Sequence, residues 1–309
     1  MAQDIPVDIP IYEHISTFLG VPPVADFQAS DAEIIIQGIP FDMATPGRPG
    51  TRYGPTGIRT ASSNLRWDTP RWPWTFDLRQ ELRIEDAGDM RLQTGFPETM
   101  LKVVENQTQE ILTSGKRVLS FGGDHYVSLP LLRSYYKKYG KMALLHFDAH
   151  TDTYDGPEFD NGTMFHYAVK EGLIEPEWSV QIGIRTAYIK EGYRFTVLDA
   201  DWVANHGPEM ALKEIQKVIG DRSVYLSFDI DSLDPAFAPG TGTPVAGGFS
   251  TNFALQVIRG LTDVNVVGMD LVEVSPPYDH SEITALAGAT ISLEMLHVWA
   301  QQKLVGLFQ

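Results

Sequence analysis

The hydrophobic residues of this 309-residue chain fall in short continuous runs, separated by longer segments in which apolar positions recur with helical spacing. The runs over residues 34–39, 118–121, 144–147 and 224–228 are nearly all apolar, as in strands that are buried on both faces of a parallel sheet. The segments between the runs have the length and spacing of helices. This alternation predicts a three-layer α/β/α fold around a mostly parallel sheet of about eight strands.

The predicted elements form one domain over residues 31–309, preceded by a proline-containing arm over residues 1–30. We predict strands at 34–39 and 82–84, and further strands that end at Phe121, Phe147, Ile184, Leu198, Phe228 and Glu273. We predict helices after Pro55, over 97–115, and near 129–139, 163–174, 208–219, 251–261 and 283–302. No linker, internal repeat or low-complexity segment divides the domain.

The composition narrows the classes of function. A formal net charge of −16 opposes binding to nucleic acid or to an anionic membrane surface, and favours a cationic ligand. The chain has no cysteine, so any metal site must use oxygen and nitrogen ligands. Its first residues lack the features of a signal peptide, and no uninterrupted apolar stretch reaches the roughly 18 residues of a membrane span. We therefore expect a cytoplasmic protein without a nucleic-acid or membrane partner.

Candidate metal ligands follow three of the predicted strands. In two of these places the acidic or histidine residues are spaced by two, and alternate side chains of an extended segment point the same way. Because the carboxyl ends of parallel strands meet at one edge of a sheet, we expect the side chains to converge. Four carboxylates and two imidazoles exceed what one ion needs, so the set predicts two divalent metal ions that share carboxylates. The candidate ligands are His125, Asp148, His150, Asp152, Asp229 and Asp231.

Each motif alone has a simpler explanation, because a buried acid or histidine is more often a hydrogen-bonding group than a ligand. Three such strand ends in one crevice, however, would bring at least four like charges together, which is unfavourable unless cations neutralise them. We interpret His146 and Asp124 as hydrogen-bonding groups behind the ligands, since they alternate away from the converging set. Asp234 precedes a proline and is interpreted as a turn former.

Two further features are candidates for substrate contact. The segment 239–248 is rich in glycine and threonine but lacks the ending of a phosphate-binding loop, so we interpret it as a substrate-facing loop, with Thr243 as a candidate contact. Glu273 ends the last predicted strand at the same edge. From its position alone, a solvated residue and a substrate-binding carboxylate are equally supported. A planar cationic substrate would favour binding, since two carboxylate oxygens match a guanidinium fork.

With these motifs the chain resembles the arginase/agmatinase (ureohydrolase) family, and the agmatinase members most closely. Several of the matching strings are long and uncommon, and together they span residues 38–274. They are Gly-Ile-Pro-Phe-Asp at 38–42, Ser-Phe-Gly-Gly-Asp-His at 120–125, His-Phe-Asp-Ala-His-Thr-Asp at 146–152, the segment 227–244, and Val-Glu-Val at 272–274.

The resemblance implies an arginase-like fold and hydrolysis of a guanidino compound. Two manganese ions, or nickel in some members, would bind a hydroxide that attacks the guanidino carbon, so that agmatine would give putrescine and urea. Asp152 and Glu273 would serve catalysis, Glu273 by holding the guanidinium. Family members commonly form trimers or hexamers, so we expect a homo-oligomer. One ion would be held by His125, Asp148, Asp152 and Asp229, and the other by Asp148, His150, Asp229 and Asp231.

Position 161 departs from the family pattern. The family carries a histidine there, before a glycine, which is credited with donating or shuttling a proton, whereas this chain has Asn161 before Gly162. An amide cannot supply a proton near neutral pH, although it still forms hydrogen bonds and leaves more room. His166 could replace the missing acid only if the chain folded back, but the residues after Gly162 are predicted to begin a helix.

Three hypotheses about function therefore stay open. The first is hydrolysis of agmatine, and the second is the same chemistry on another guanidine, with Asn161 as a substrate contact. Such substrates include 4-guanidinobutyrate, free guanidine, and an alkylated guanidine or biguanide such as metformin. The third is a weakly active subunit that supports an active paralogue in a mixed oligomer, and the intact ligand set argues against it.

Overall fold

The fold is built on one sheet of eight parallel strands, in the computed structural model that describes residues 17–67, 69–93 and 95–308. The strands are β1 (Ile34–Gly38), β2 (Ile84–Asp89), β3 (Arg117–Phe121), β4 (Ala143–Phe147), β5 (Val180–Ile182), β6 (Thr196–Leu198), β7 (Val224–Asp229) and β8 (Val266–Val272). Their order across the sheet is β2-β1-β3-β8-β7-β4-β5-β6, and all neighbours are parallel.

Helices cover both faces of this sheet. The α-helices are α1 (Gly54–Ser62), α2 (Leu78–Glu81), α3 (Thr99–Thr113), α4 (Ser128–Tyr139), α5 (Met164–Lys170), α6 (Ala200–Ile219), α7 (Thr251–Arg259) and α8 (Ile283–Leu304). Residues of α1, α6, α7 and α8 pack with one face of the strands, and residues of α3, α4 and α5 pack with the other. The two apolar cores confirm the predicted three-layer α/β/α architecture.

Helix α8 lies in the first of these cores. It is long and apolar enough to cross a membrane by length and composition, yet 89% of its most apolar window is buried inside the protein. A helix that is hydrophobic on all sides is expected in the core of a large domain. Its only acid within that core, Glu294, is completely buried and accepts hydrogen bonds from Trp74 (2.7 Å) and Arg259 (2.7 Å).

The four central strands end at the same level, and this positions the candidate site. Phe147 of β4 pairs with Phe228 of β7, which in turn pairs with Leu271 of β8. Phe121 of β3 pairs with the same Leu271 from the other side. The residues that follow these apolar positions therefore emerge side by side at the carboxyl edge, as the strand-end pattern predicts.

Two strands differ from the predicted bounds by two residues or more, for local reasons. Strand β2 covers Ile84–Asp89 instead of 82–84. It is an edge strand with several polar side chains, so its sequence does not form the continuous apolar run by which the other strands were predicted. Strand β5 ends at Ile182, two residues early, because Gly183 takes a left-handed conformation (φ 98°). Helix α6 begins at Ala200 and breaks at Gly207, so the predicted helix over 208–219 is its second part.

The predicted N-terminal arm is described only in part, since residues 1–16 lie outside the described residues. Phe18 is completely buried, and its backbone N–H donates to the Asp86 carboxylate (2.8 Å). The backbone N–H of Val24 donates to the Asp86 carbonyl oxygen (3.0 Å). Residues 17–24 therefore lie along strand β2 and cover the edge of the sheet, and the division at residue 30 stays a prediction.

The packing of α4 on the sheet generates a stability prediction. Gly268 of β8 lies against the Tyr135 ring, and a Cβ at that position would collide with it. We expect Gly268→Ala to destabilise the protein by about 1–3 kcal/mol, because overpacking forces side chains or backbone to shift. Gly47→Ala is the control, since nothing lies within 4 Å of the added carbon. Equal urea midpoints for the two variants would show that the Tyr135 contact does not restrict this position.

Candidate functional site

Three carboxylates surround one imidazole nitrogen at the carboxyl edge of the sheet. His125 Nδ1 lies 3.0 Å from a carboxylate oxygen of Asp152, and 3.2 Å from one of Asp148 and one of Asp229. His125 begins a short 3₁₀ turn after β3, and the Asp124 carboxylate caps that turn by accepting the Tyr126 N–H (3.2 Å). The ring is completely buried, so no solvent separates these atoms.

The hydrogen bonds behind His125 determine which ring nitrogen carries the proton. Ser227 donates its single hydroxyl proton to Asp270 (2.7 Å), so its oxygen accepts from His125 Nε2 (2.8 Å). In the neutral imidazole, Nδ1 is then bare, and it has no hydrogen-bond partner despite its burial. Burial lowers the pKa of His125, but the carboxylates of Asp148, Asp152 and Asp229 outweigh burial and raise this pKa well above its usual value. The four groups therefore favour a cation among them, either a proton or a metal ion. This arrangement fits a metal ion.

A second cluster adjoins the first through Asp148. His150 Nδ1 lies 3.2 Å from Asp148 and 3.1 Å from Asp231, and its side chain is 22% exposed. Asp148 thus has one oxygen beside His125 and the other beside His150. Asp229 accepts the backbone N–H of Asp231 (2.7 Å), which fixes the turn after β7. The structure therefore brings all six predicted ligands together, in two groups that share Asp148.

The carboxylates of these clusters repel one another in a buried setting. Burial and the neighbouring Asp148 raise the pKa of Asp152 to about 8. Burial and adjacent carboxylates also raise the pKa values of Asp229 and Asp231. For Asp148, burial acts in the same direction, but His146 and His125 dominate and hold its pKa well below the usual value. Cations in the two clusters would remove this repulsion.

The backbone is strained at two of the candidate site residues. Asp152 (φ 52°) and Glu273 (φ 62°) both adopt the left-handed conformation, which is uncommon for residues other than glycine. Such strain persists only where the surroundings enforce it, and it concentrates at functional sites.

A cavity of about 180 Å³ opens onto the clusters. Thr243, the candidate contact in the 239–248 loop, reaches its wall and donates to the Asp231 carboxylate (3.2 Å). Asn161 also lines the cavity and donates its amide to Glu273 Oε1 (2.8 Å). The lining residues are Pro46, His150, Asp152, Tyr154, Asp160, Asn161, Gly162, Asp229 and Thr243.

Glu273 lies just behind this wall, and its two oxygens differ. Oε1 accepts from Asn161 and from the backbone N–H of His125 (2.9 Å). Oε2 is buried without a hydrogen-bond partner and lies beside Gly242, where a Cβ would stand 3.3 Å away. Burial raises the pKa of Glu273 to about 7. Oε2 therefore keeps an unused acceptor position, and Glu273 is not among the residues that line the cavity.

The residues interpreted as supporting groups have that role in the structure. His146 donates from Nε2 to Asp148 (2.8 Å) and accepts at Nδ1 from Gln181 (3.0 Å), so both ring nitrogens are used although the ring is close to the first cluster. Asp234 accepts three backbone N–H groups in its turn. His166 lies on α5 with Nε2 3.5 Å from Asp155 and does not line the cavity.

Gly122 and Gly123 allow the chain after β3 to pack closely. A Cβ at Gly123 would collide with the Phe41 backbone, and a Cβ at Gly122 would collide with Val272 and Val127. The glycines therefore allow close packing of the loop after β1, whose Phe41 carbonyl accepts the Asp124 N–H (2.7 Å).

Sequence reasoning missed several residues that support the site. Ser227 and Asp270 lie inside apolar runs, where a polar residue among hydrophobic neighbours was the available signal. Arg185 follows strand β5 at the same edge of the sheet and donates to the Asp231 carbonyl oxygen (2.6 Å). Because Arg185 directly follows the predicted strand end at Ile184, the sequence could have indicated its place at this edge.

Comparisons with known proteins agree with this architecture. The sequence model of the Arginase family matches residues 32–297. An agmatinase of Photorhabdus laumondii is 56% identical over 276 residues, which cover 89% of this chain and 90% of that protein.

Two solved structures superpose closely on this one. A hypothetical agmatinase from Burkholderia thailandensis has a TM-score of 0.92 at 44% identity, covering 96% of this chain and 94% of its own. Proclavaminate amidino hydrolase from Streptomyces clavuligerus has a TM-score of 0.89 at 34% identity, covering 95% and 99%. The chain therefore belongs to the arginase family, whose members are hydrolases that act on amidino C–N bonds.

Proposed function

We propose that this protein is a metal-dependent amidinohydrolase that hydrolyses agmatine to putrescine and urea. The observation that carries the proposal is the convergence of His125 Nδ1 with carboxylate oxygens of Asp148, Asp152 and Asp229 within 3.2 Å. That arrangement is favourable with a divalent cation among the four groups, and a substrate-sized cavity opens onto it.

The two clusters would hold two divalent ions. His125, Asp148, Asp152 and Asp229 would bind one, and Asp148, His150, Asp229 and Asp231 would bind the other. When bound, divalent ions would lower the pKa of water at the site toward neutrality and would stabilise developing negative charge. The set is rich in carboxylate oxygen, which suits manganese, and nickel is the alternative because imidazole also suits it.

The protein's own groups would orient the guanidinium. Glu273 Oε2 is buried and free to accept, so it would hold one N–H edge of the substrate. Thr243 lines the cavity, donates to the Asp231 carboxylate and would limit how the guanidinium tilts. Asp152, held in its strained conformation, would accept a proton from the attacking water and support its transfer toward the leaving amine.

The relatives support agmatine as the first substrate to test. The Photorhabdus laumondii protein, which is 56% identical, is named an agmatinase. Agmatine is a small dication, and the cavity is lined by several carboxylates in a protein with a formal net charge of −16.

A specific contact favours a second candidate, the same reaction on another guanidine. Asn161 occupies Glu273 Oε1 together with the His125 N–H, which leaves one oxygen instead of two for the substrate. At such a site, a guanidine with fewer N–H donors would leave fewer hydrogen bonds unmade than a guanidine that needs both carboxylate oxygens of Glu273. 4-Guanidinobutyrate, free guanidine and N-alkylated guanidines or biguanides such as metformin belong to the test panel.

We also propose that the protein is cytoplasmic and forms a homo-oligomer, a trimer or hexamer. Trp67 and Trp72 are 67% and 76% exposed, and large exposed aromatic side chains are typical of interfaces. The intact donor set supports an active subunit, although assembly with a paralogous chain is an alternative. Light scattering of the purified protein measures the assembly.

The substrate is tested with metal-reconstituted protein on the guanidino panel, scoring urea and the released amine separately. If the substrate is agmatine but position 161 limits protonation of the amine, Asn161→His should raise agmatine turnover, since general acid catalysis commonly contributes about 10²–10⁴-fold. The same change should lower activity on an alkylated guanidine, because the larger ring fills the cavity. His166→Ala is the control, since this residue does not line the cavity.

Release of neither urea nor amine from any compound in the panel would contradict the proposed function. Wild-type agmatine turnover at rates ordinary for a ureohydrolase, unaffected by Asn161→His, would establish agmatine and remove position 161 as a determinant of substrate choice.

Glu273 gives a separate prediction about substrate binding. Glu273→Gln keeps the size of the side chain but removes the charge that would pair with the guanidinium. We expect kcat/KM to fall by a factor that corresponds to a loss of about 2–5 kcal/mol of transition-state stabilisation. Glu191→Gln, at an exposed position, serves as the matched control. An unchanged kcat/KM on the best substrate would place Glu273 outside the substrate site.

A further inference from the structure

Arg185 makes an unusual set of contacts behind the candidate site. All three of its guanidinium nitrogens donate hydrogen bonds, and every acceptor that the structure gives it is a backbone carbonyl. The bonds are Nε to Val245 O (3.0 Å), Nη1 to Gly183 O (3.0 Å) and Ser232 O (3.2 Å), and Nη2 to Asp231 O (2.6 Å), Val245 O (2.8 Å) and Leu233 O (3.2 Å).

These carbonyls belong to three separate segments. Gly183 follows strand β5, residues 231–233 form the turn after β7, and Val245 lies in the 239–248 loop. The turn carries Asp231, and the loop carries Thr243, which lines the cavity. We call the Arg185 guanidinium with its carbonyl acceptors the Arg185 clamp. Gly248 leaves room for this clamp, because a Cβ at Gly248 would lie 2.8 Å from the guanidinium. One side chain therefore joins the second cluster to the loop that borders the substrate cavity.

Lysine could not reproduce this arrangement. The planar guanidinium presents five N–H groups in fixed directions, whereas an ammonium group is a compact charge with three donors. The charge also matters, because burial lowers the pKa of Arg185 while Asp231 and Asp148 act in the opposite direction and favour the cation. The clamp thus places a fixed positive charge behind the acidic clusters without neutralising any carboxylate directly.

We propose that Arg185 is a positioning residue that sets Asp231 and the 239–248 loop in one geometry, so that binding of the second metal ion and binding of substrate depend on the same side chain. The inference rests on the proposed function, because it takes Asp231 as a ligand of that ion. Arg185 touches neither the cavity nor the clusters' ligand atoms, so it acts only through the segments that it holds.

A second anchor of the same loop separates this role from general stabilisation. Asp234 accepts the N–H groups of Gly247 (2.7 Å) and Gly248 (3.2 Å), and so holds the loop without bonding to the Asp231 carbonyl. Asp234→Asn should loosen the loop while leaving Arg185 on the metal-bearing turn. The proposal therefore predicts a raised KM for Asp234→Asn with unchanged metal binding, and changes in both properties for Arg185→Lys.

The test titrates Mn²⁺ into the full-length, metal-stripped protein by calorimetry and records the Mn²⁺ electron paramagnetic resonance spectrum. Wild-type protein should bind two ions and show a magnetically coupled pair. In Arg185→Lys, one Mn²⁺ ion should bind with wild-type affinity. The affinity for the other ion should fall by about 10–100-fold, as expected for loss of a group that orients a ligand. Its spectrum should show isolated ions at sub-saturating metal. Arg194→Lys, an exposed arginine of the same segment, is the matched control.

Two binding events of wild-type affinity in Arg185→Lys would overturn the inference while leaving the proposed function intact. Wild-type protein that fails to bind two ions would instead contradict the proposed function. If Arg185→Lys does not fold by circular dichroism, Arg185→Gln provides the second variant, since a neutral amide with two N–H donors cannot reach all of the carbonyls that Arg185 holds. Arg185→Gln should weaken binding of the same ion, and wild-type metal binding in this variant would overturn the inference.

Discussion

The repulsion among four buried carboxylates is the constraint on which the rest of this site depends. Asp148, Asp152, Asp229 and Asp231 are each at most 5% exposed, and they meet at one edge of the sheet. Removing several like charges from water is strongly unfavourable unless opposite charges or hydrogen bonds compensate. The raised pKa of Asp152, to about 8, reflects this unfavourable energy. The central strands, the strained backbone and the polar groups behind the site hold the carboxylates together nonetheless.

That support is built from buried hydrogen bonds that orient the candidate ligands from behind. Asp270 accepts the hydroxyls of Ser128, Tyr225 and Ser227, and Ser227 in turn fixes the ring of His125. Gln181 fixes His146, whose other nitrogen binds Asp148. Groups of this kind orient ligands and set which nitrogen carries the proton. The direction of His125 Nδ1 is thus a consequence of a carboxylate on a neighbouring strand.

The strand ends were readable from the sequence because two independent rules agree there. Apolar runs identify strands that are buried on both faces, and parallel strands end at a common edge, so the proximity of Asp148 to Asp229 follows from both. An edge strand with polar side chains has no continuous apolar run. The predicted bounds of β2, 82–84, therefore differ from the observed bounds, Ile84–Asp89. The contact of Asn161 with Glu273 and the carbonyls around Arg185 depend on loop conformations that local patterns do not encode. Candidate ligands were therefore predictable, whereas their connections to the loops were not.

The proposed reaction depends most on two metal ions lying where the two clusters converge. Anomalous diffraction at the manganese edge, from crystals of the Mn²⁺-reconstituted protein, measures this directly. We predict two peaks, one bonded to His125 Nδ1 and the other to His150 Nδ1, with Asp148 shared between them. A single peak, no peak at His125, or an ion held by His146 would contradict the account.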